Sequence, residues 1–186
     1  GILDWLEAGL ALPLVANQSG NNLQGTDQID GVALGDPSIA AKVRILDATE
    51  APVGVAGLLS ATVPVGSDEA FIGETAPTGT LKVLLESRLG STTLGLNLGY
   101  IIRSPFEIAT LTVDDQLSMG LAANWKATKR IAVIAETNIA TDVAQPLADE
   151  ALTPGDLNAG VRYRLGKSYD ITGGLGMGIL PGYGAP

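Results

Sequence analysis

The stretch Leu94-Gly95-Leu96-Asn97-Leu98-Gly99-Tyr100-Ile101-Ile102-Arg103 decides how the rest of the chain is read. Leu94, Leu96, Leu98, Tyr100 and Ile102 share one parity, while Gly95, Asn97, Gly99 and Arg103 share the other. Side chains of an extended strand alternate between two faces, so this segment is a strand with one apolar face and one small or polar face. An amphipathic helix would instead repeat its apolar residues every three or four positions.

The same alternation extends in both directions. Downstream, Leu117, Met119, Leu121, Ala123 and Trp125 oppose Ser118, Gly120, Asn124 and Lys126. Ile131, Val133, Ala135 and Ile139 oppose Glu136 and Asn138, with Ile134 as an exception. Leu157 to Leu165 and Ile171 to Ile179 repeat the pattern, with Gly160, Gly174, Gly176 and Gly178 on the polar parity. Upstream, the runs Leu6 to Leu14, Ile39 to Ile45, Val53 to Val65 and Leu81 to Leu89 behave alike. The count is nine strands, most about 8 to 12 residues long, which is the length a tilted membrane-crossing strand needs.

Connections alternate between short and long. Short links fall near 47–52, 90–92, 127–129 and 166–168, and long ones near 16–36, 66–79, 104–115 and 141–155. That rhythm predicts an antiparallel up-and-down barrel with one tight-turn rim, whereas a Greek-key sandwich scatters its long connections.

Composition then sets which face is outside. Of 186 residues, 46% are hydrophobic and only 17% charged, against about 25% charged in ordinary soluble domains. With 4% aromatic residues and 24 glycines, the apolar surface needs a destination other than a small aromatic core. A water-facing strand surface usually carries Lys, Glu, Thr and Gln, because glycine weakens a strand. Here the polar parity is rich in Gly, Ala, Ser and Asn, which suits a concave wall where side chains converge. The expectation is an all-β, antiparallel up-and-down transmembrane β-barrel, its Leu, Val and Ile face toward lipid. The inward charges Glu7, Lys42, Arg44, Lys82, Glu86, Arg88, Glu136, Arg162 and Arg164 would form a mixed-charge lumen network. The rival reading is a soluble ligand-binding barrel with the two faces exchanged.

Several function classes are disfavoured at once. Eleven basic against twenty acidic residues give a net charge of −9, which repels nucleic acid phosphates. With no Cys and no His, there is no thiol nucleophile, no Ser-His-Asp triad and no zinc site of the usual kind. No stretch matches a membrane-spanning helix or a signal peptide. Gly174-Leu175-Gly176-Met177-Gly178 imitates part of a dinucleotide fingerprint, but Pro181 follows and no helix does. It reads as a glycine stripe on the lumen wall. Asn17-Gln18-Ser19 is a glycosylation triplet by letters only. Two of Glu7, Glu86 and Glu136 could serve as a glycosidase pair, yet their spacing does not select that over pairing with arginine. No enzyme, cofactor or metal is expected.

The long connections, the last taken through Asp156, hold thirteen of the twenty acids and no Lys or Arg: Asp27, Asp30, Asp36, Asp68, Glu69, Glu74, Glu107, Asp114, Asp115, Asp142, Asp149, Glu150 and Asp156. Lys126, Lys129, Arg130 and Lys167 flank the short turns instead. Without a calcium-loop spacing, the acids read as a solvated rim. Trp5, Trp125, Tyr163 and Tyr169 fall toward the short-turn side, and Phe71, Tyr100, Phe106 and Tyr183 toward the other. This makes a sparse version of the two aromatic belts of membrane barrels.

Leu6-Glu7-Ala8-Gly9-Leu10-Ala11-Leu12-Pro13 resembles a strand opening of the N-terminal barrels of OmpA-type outer-membrane proteins. The resemblance continues through Gly35-Asp36 to Arg44, Val63-Pro64-Val65-Gly66 to Gly73, Leu96 to Tyr100, Gly160 to Gly166 and the closing Pro181 to Pro186. It implies a barrel in the bacterial outer membrane, often followed by a peptidoglycan-binding domain that is not in this sequence. Function follows as a structural scaffold or narrow passive pore, with the lipid bilayer as partner. Residues 1–186 read as one incomplete barrel domain, since bacterial single-chain barrels have an even strand number. The pattern resembled has another strand after Pro186 and others before Gly1, so either the chain is a fragment or partner chains complete or surround the barrel. The latter would make it a subunit of a larger envelope assembly.

Overall fold

The computed structural model describes residues 3–19, 30–66, 73–108, 111–166, 169–180 and 182. Asp27, Asp68, Glu69, Phe71, Lys167 and Tyr183 lie outside them. The described chain forms thirteen strands and no helix. They are β1 (Leu6–Ala11), β2 (Leu14–Ser19), β3 (Asp30–Leu34), β4 (Ser38–Leu46), β5 (Gly54–Thr62), β6 (Thr78–Leu89), β7 (Thr92–Ile102), β8 (Phe106–Ile108), β9 (Leu111–Val113), β10 (Gln116–Lys126), β11 (Ile131–Asp142), β12 (Gly155–Arg164) and β13 (Asp170–Leu180).

Nine of these make one antiparallel sheet in the order β1-β4-β5-β6-β7-β10-β11-β12-β13. Among these nine, each strand pairs with the next in sequence, the meander that short hairpins dictate. The tightest hairpin joins β6 to β7 through Gly90-Ser91. Gly90 has φ +61°, and a positive φ at the first loop position is what a mirror-image two-residue turn requires. The remaining strands form two separate antiparallel pairs, β2 with β3 and β8 with β9. The long connections expected near 16–36 and 104–115 therefore contain hairpins of their own.

Register keeps the two faces apart through the body of the sheet. Leu98 faces Val83 and Met119, Leu96 faces Leu85 and Leu121, and Val161 faces Val133. On the opposite face Asn97 meets Leu84 and Gly120, and Gly120 also meets Asn138. A slip of one residue exchanges the faces; within the nine-stranded sheet the register shifts only near strand ends, between Arg44 and Leu46 on β4 against β5 and between Gly155 and Asp156 on β12 against β13. Leu58, Leu84 and Ile134 are apolar residues on the polar parity.

Burial is inverted relative to a water-soluble domain. Among the described residues, Val113 is the single buried hydrophobic side chain, whereas 37 large hydrophobic side chains are exposed. The buried polar residues are Asp36, Gln116, Thr141 and Thr153, all at the long-connection end. Soluble domains hide their Leu, Ile and Val; this sheet displays them in a continuous band.

The sheet is not closed. β1 pairs only with β4 and β13 only with β12, so both edges are free among the described residues. Because neighbours alternate in direction, the first and ninth strands of the sheet run the same way.

Candidate functional site

The polar face borders a half-open cavity of about 790 Å³, lined by residues from eight of the nine strands, from Glu7 on β1 to Arg162 on β12. Eight strands lying flat would span about 34 Å, several times the width of such a cavity. The sheet therefore curls about its polar face, which becomes concave while the apolar face becomes convex. Trp5, Asp47, Ala48 and Arg88 are in the lining, which puts the cavity toward the short-turn end.

Small residues make this curvature fit. A side chain at Gly120 would collide with the amides of Asn97 and Asn138, and one at Gly176 with Asn158. The glycines leave volume that the asparagines of neighbouring strands occupy, so large and small alternate across the concave wall.

Of the nine charges expected on this face, Glu7, Lys42, Arg44, Glu86, Arg88, Glu136 and Arg162 line the cavity, while Lys82 and Arg164 do not. Glu7 and Lys42 sit directly opposite each other on β1 and β4 and form an ion pair. Arg88 Nε meets Glu86 Oε1 at 2.8 Å within β6. Three others, Arg44, Arg162 and Arg164, find partners outside the expected set. Arg44 Nη1 reaches Asp47 Oδ2 at 2.7 Å, and its Nη2 donates to the Asp4 carbonyl. Arg162 Nε donates to Thr172 Oγ1 at 3.3 Å, and Arg164 Nε meets Asp170 Oδ1 at 3.2 Å. Lys82 and Glu136 make no ion pair among the described residues. Among the described residues these contacts are local pairs along the wall. Asp4, Glu7, Asp47, Glu86 and Glu136 against Lys42, Arg44, Arg88 and Arg162 leave the lining one negative charge from neutral.

At the short-turn rim, Asp47 caps its own turn. The amide and hydroxyl of Thr49 donate to Asp47 Oδ1 at 2.8 and 2.7 Å. These bonds, with Arg44 beside them, hold the Asp47 carboxyl below its ordinary value. Among the described residues no three His, Cys, Asp or Glu side chains gather closely enough to hold a metal ion.

Sequence reasoning passed over the residues that organise the opposite end. Asp36, Glu74 and Asp115, read as solvated rim acids, are tied into the long connections. Asp36 accepts three backbone amides, Glu74 pairs with Arg103, and Asp115 accepts from Arg103 and Tyr100. A signal was present in Gly35-Asp36-Pro37, where a short acceptor sits between two turn formers. No protein-family model matches the chain, and no curated protein does.

Proposed function

We propose that this chain forms the wall of a transmembrane β-barrel of the bacterial outer membrane and acts without catalysis, as a structural scaffold or a narrow passive pore. One observation carries the reading: the convex face is apolar across nine strands and the concave face is small and charged. A soluble ligand-binding barrel needs the reverse, with its Leu, Val and Ile around the ligand. Strand length agrees, since the 11 residues of β7, β10 and β13 reach about 25 Å when tilted near 40°. In lipid a free sheet edge has no water to satisfy its backbone. β1 and β13 run in the same direction, so one further antiparallel strand between them closes the wall with normal pairing. Partner chains that complete or surround the barrel are the second form of the proposal, and the two edge strands favour it.

The test is extraction. Membranes holding the protein are washed with alkaline carbonate and urea, then with detergent. Release only by detergent is expected, and release by the washes refutes the membrane reading. Planar-bilayer recording then divides the two roles: a steady small conductance marks the pore, and silence from inserted protein leaves the scaffold.

A further inference from the structure

The four long connections at one end of the sheet are joined by hydrogen bonds and one ion pair that run from each to the next. Asp36, 8% exposed, precedes β4. Its Oδ1 accepts the amides of Val65 and Gly66 at 3.0 and 2.8 Å, and its Oδ2 accepts that of Glu74 at 2.7 Å. The first connection thus holds both ends of the second. This grip needs close approach: a side chain at Gly73 would lie 2.8 Å from the Gly66 backbone, and one at Gly66 would lie 2.9 Å from Asp36 Oδ1.

Glu74 Oε1 then meets Arg103 Nη1 at 3.4 Å, which carries the tie to the third connection. The Arg103 side chain is 12% exposed, and its guanidinium lies 5.9 Å from the centre of the Phe106 ring. The Arg103 amide donates to Asp115 Oδ1 at 2.9 Å, and the Tyr100 hydroxyl donates to Asp115 Oδ2 at 2.7 Å. Finally the Asp115 carbonyl accepts the amide of Val143 at 3.1 Å, at the start of the fourth connection.

Of the three carboxylates in this chain of contacts, those of Asp36 and Asp115 each use their two oxygens on different partners. Freeing one partner leaves a polar atom away from water unsatisfied, which loosens the remaining bonds. Arg103 Nε is already buried without a hydrogen-bond partner among the described residues, so the Arg103–Glu74 step is the least satisfied link. We propose that the long-connection rim is a single conformational unit whose release point is the Arg103–Glu74 contact, so that all four connections loosen together. This follows from the rim alone and does not depend on what the convex face touches.

Amide hydrogen exchange resolved to single residues tests it, with every variant in the same detergent. Arg103→Met keeps a long side chain over Phe106 but removes the charge, and Glu74→Gln weakens the same contact while leaving the Glu74 amide on Asp36. Both should speed exchange at Val65, Gly66, Arg103 and Val143 together, by roughly three- to tenfold. Arg103→Lys should restore part of the protection. Unchanged exchange at Leu98 and Met119 confirms that the sheet is intact, and if Arg103→Met loosens those, Glu74→Gln decides. Faster exchange confined to Arg103, with Val65 and Gly66 at wild-type protection, overturns the proposal.

Discussion

Arginine in place of Leu98 separates a lipid-facing wall from a water-facing one. Leu98 lies on the apolar face between Val83 and Met119 and is 49% exposed. On the same face, Ile102 ends the strand and is 56% exposed. At about 3.3 Å per residue and a tilt near 40°, Leu98 sits about 10 Å deeper than Ile102, close to the middle of a band about 25 Å tall. In a bilayer, arginine at mid-depth costs about 2–4 kcal/mol and at the interface about 0–1 kcal/mol. In water both substitutions are surface changes within about 0.5 kcal/mol of neutral. The share due to packing of Leu98 against Val83 and Met119 is measured separately with Leu98→Ala and subtracted. The assay is reversible urea unfolding in phospholipid vesicles, followed by the fluorescence of Trp5 and Trp125. Leu98→Arg should exceed Ile102→Arg by about 2 kcal/mol. Equal costs at the two depths would show that the convex face does not meet lipid, and the proposed function would fall with it.

Three further outcomes follow from the geometry. The Arg103 amide and the Tyr100 hydroxyl hold the Asp115 carboxyl below its ordinary value against the opposing effect of burial. A depressed folded value means that this stabilisation is complete above the unfolded carboxylate range, near pH 4, and fades as pH falls through the folded one. Protection of the Arg103 and Val143 amides should therefore hold at pH 5 and drop below about pH 4, and Asp115→Asn should remove that drop. On β13, a side chain at Gly174 would stand 2.6 Å from the Ala159 carbonyl oxygen, while one at Gly173 meets nothing within 4 Å. Thermal unfolding should show Gly174→Ala destabilising by about 1–3 kcal/mol and Gly173→Ala neutral or slightly stabilising. For Glu7 and Lys42, whose side chains are half exposed, a double-mutant cycle should give a coupling under about 1 kcal/mol; a much larger value would mean the pair is shielded from water.

The sheet was legible because period two is a local property that survives in every hairpin. Leu94 to Arg103 announces its two faces without knowledge of its neighbours, and the register of β6 and β10 against it follows from keeping those faces together. The run Leu6 to Leu14 misled because alternation continues through Pro13. Proline supplies no ladder donor, so β1 stops at Ala11 and β2 starts a separate pair with β3. The short β8 and β9, three residues each, are below the length at which alternation can be recognised. For the candidate site, which parity carried charge was readable, but which charges pair was not. Arg44 turns to Asp47 at the rim and Arg164 to Asp170, choices made by turn geometry. The Asp36 partners lie 29 to 38 residues away, a distance over which sequence spacing says nothing about contact.

The interlocking of glycine and asparagine on the concave wall has a consequence for how this sequence can drift. Gly120 is empty so that Asn97 and Asn138 can fill the space beside it, and the three positions share one volume across β7, β10 and β11. A larger residue at 120 is tolerated when 97 or 138 shrinks, and truncation of both asparagines frees room for it. The three positions should therefore vary as a set among descendants of this chain, their summed size held steadier than any one identity.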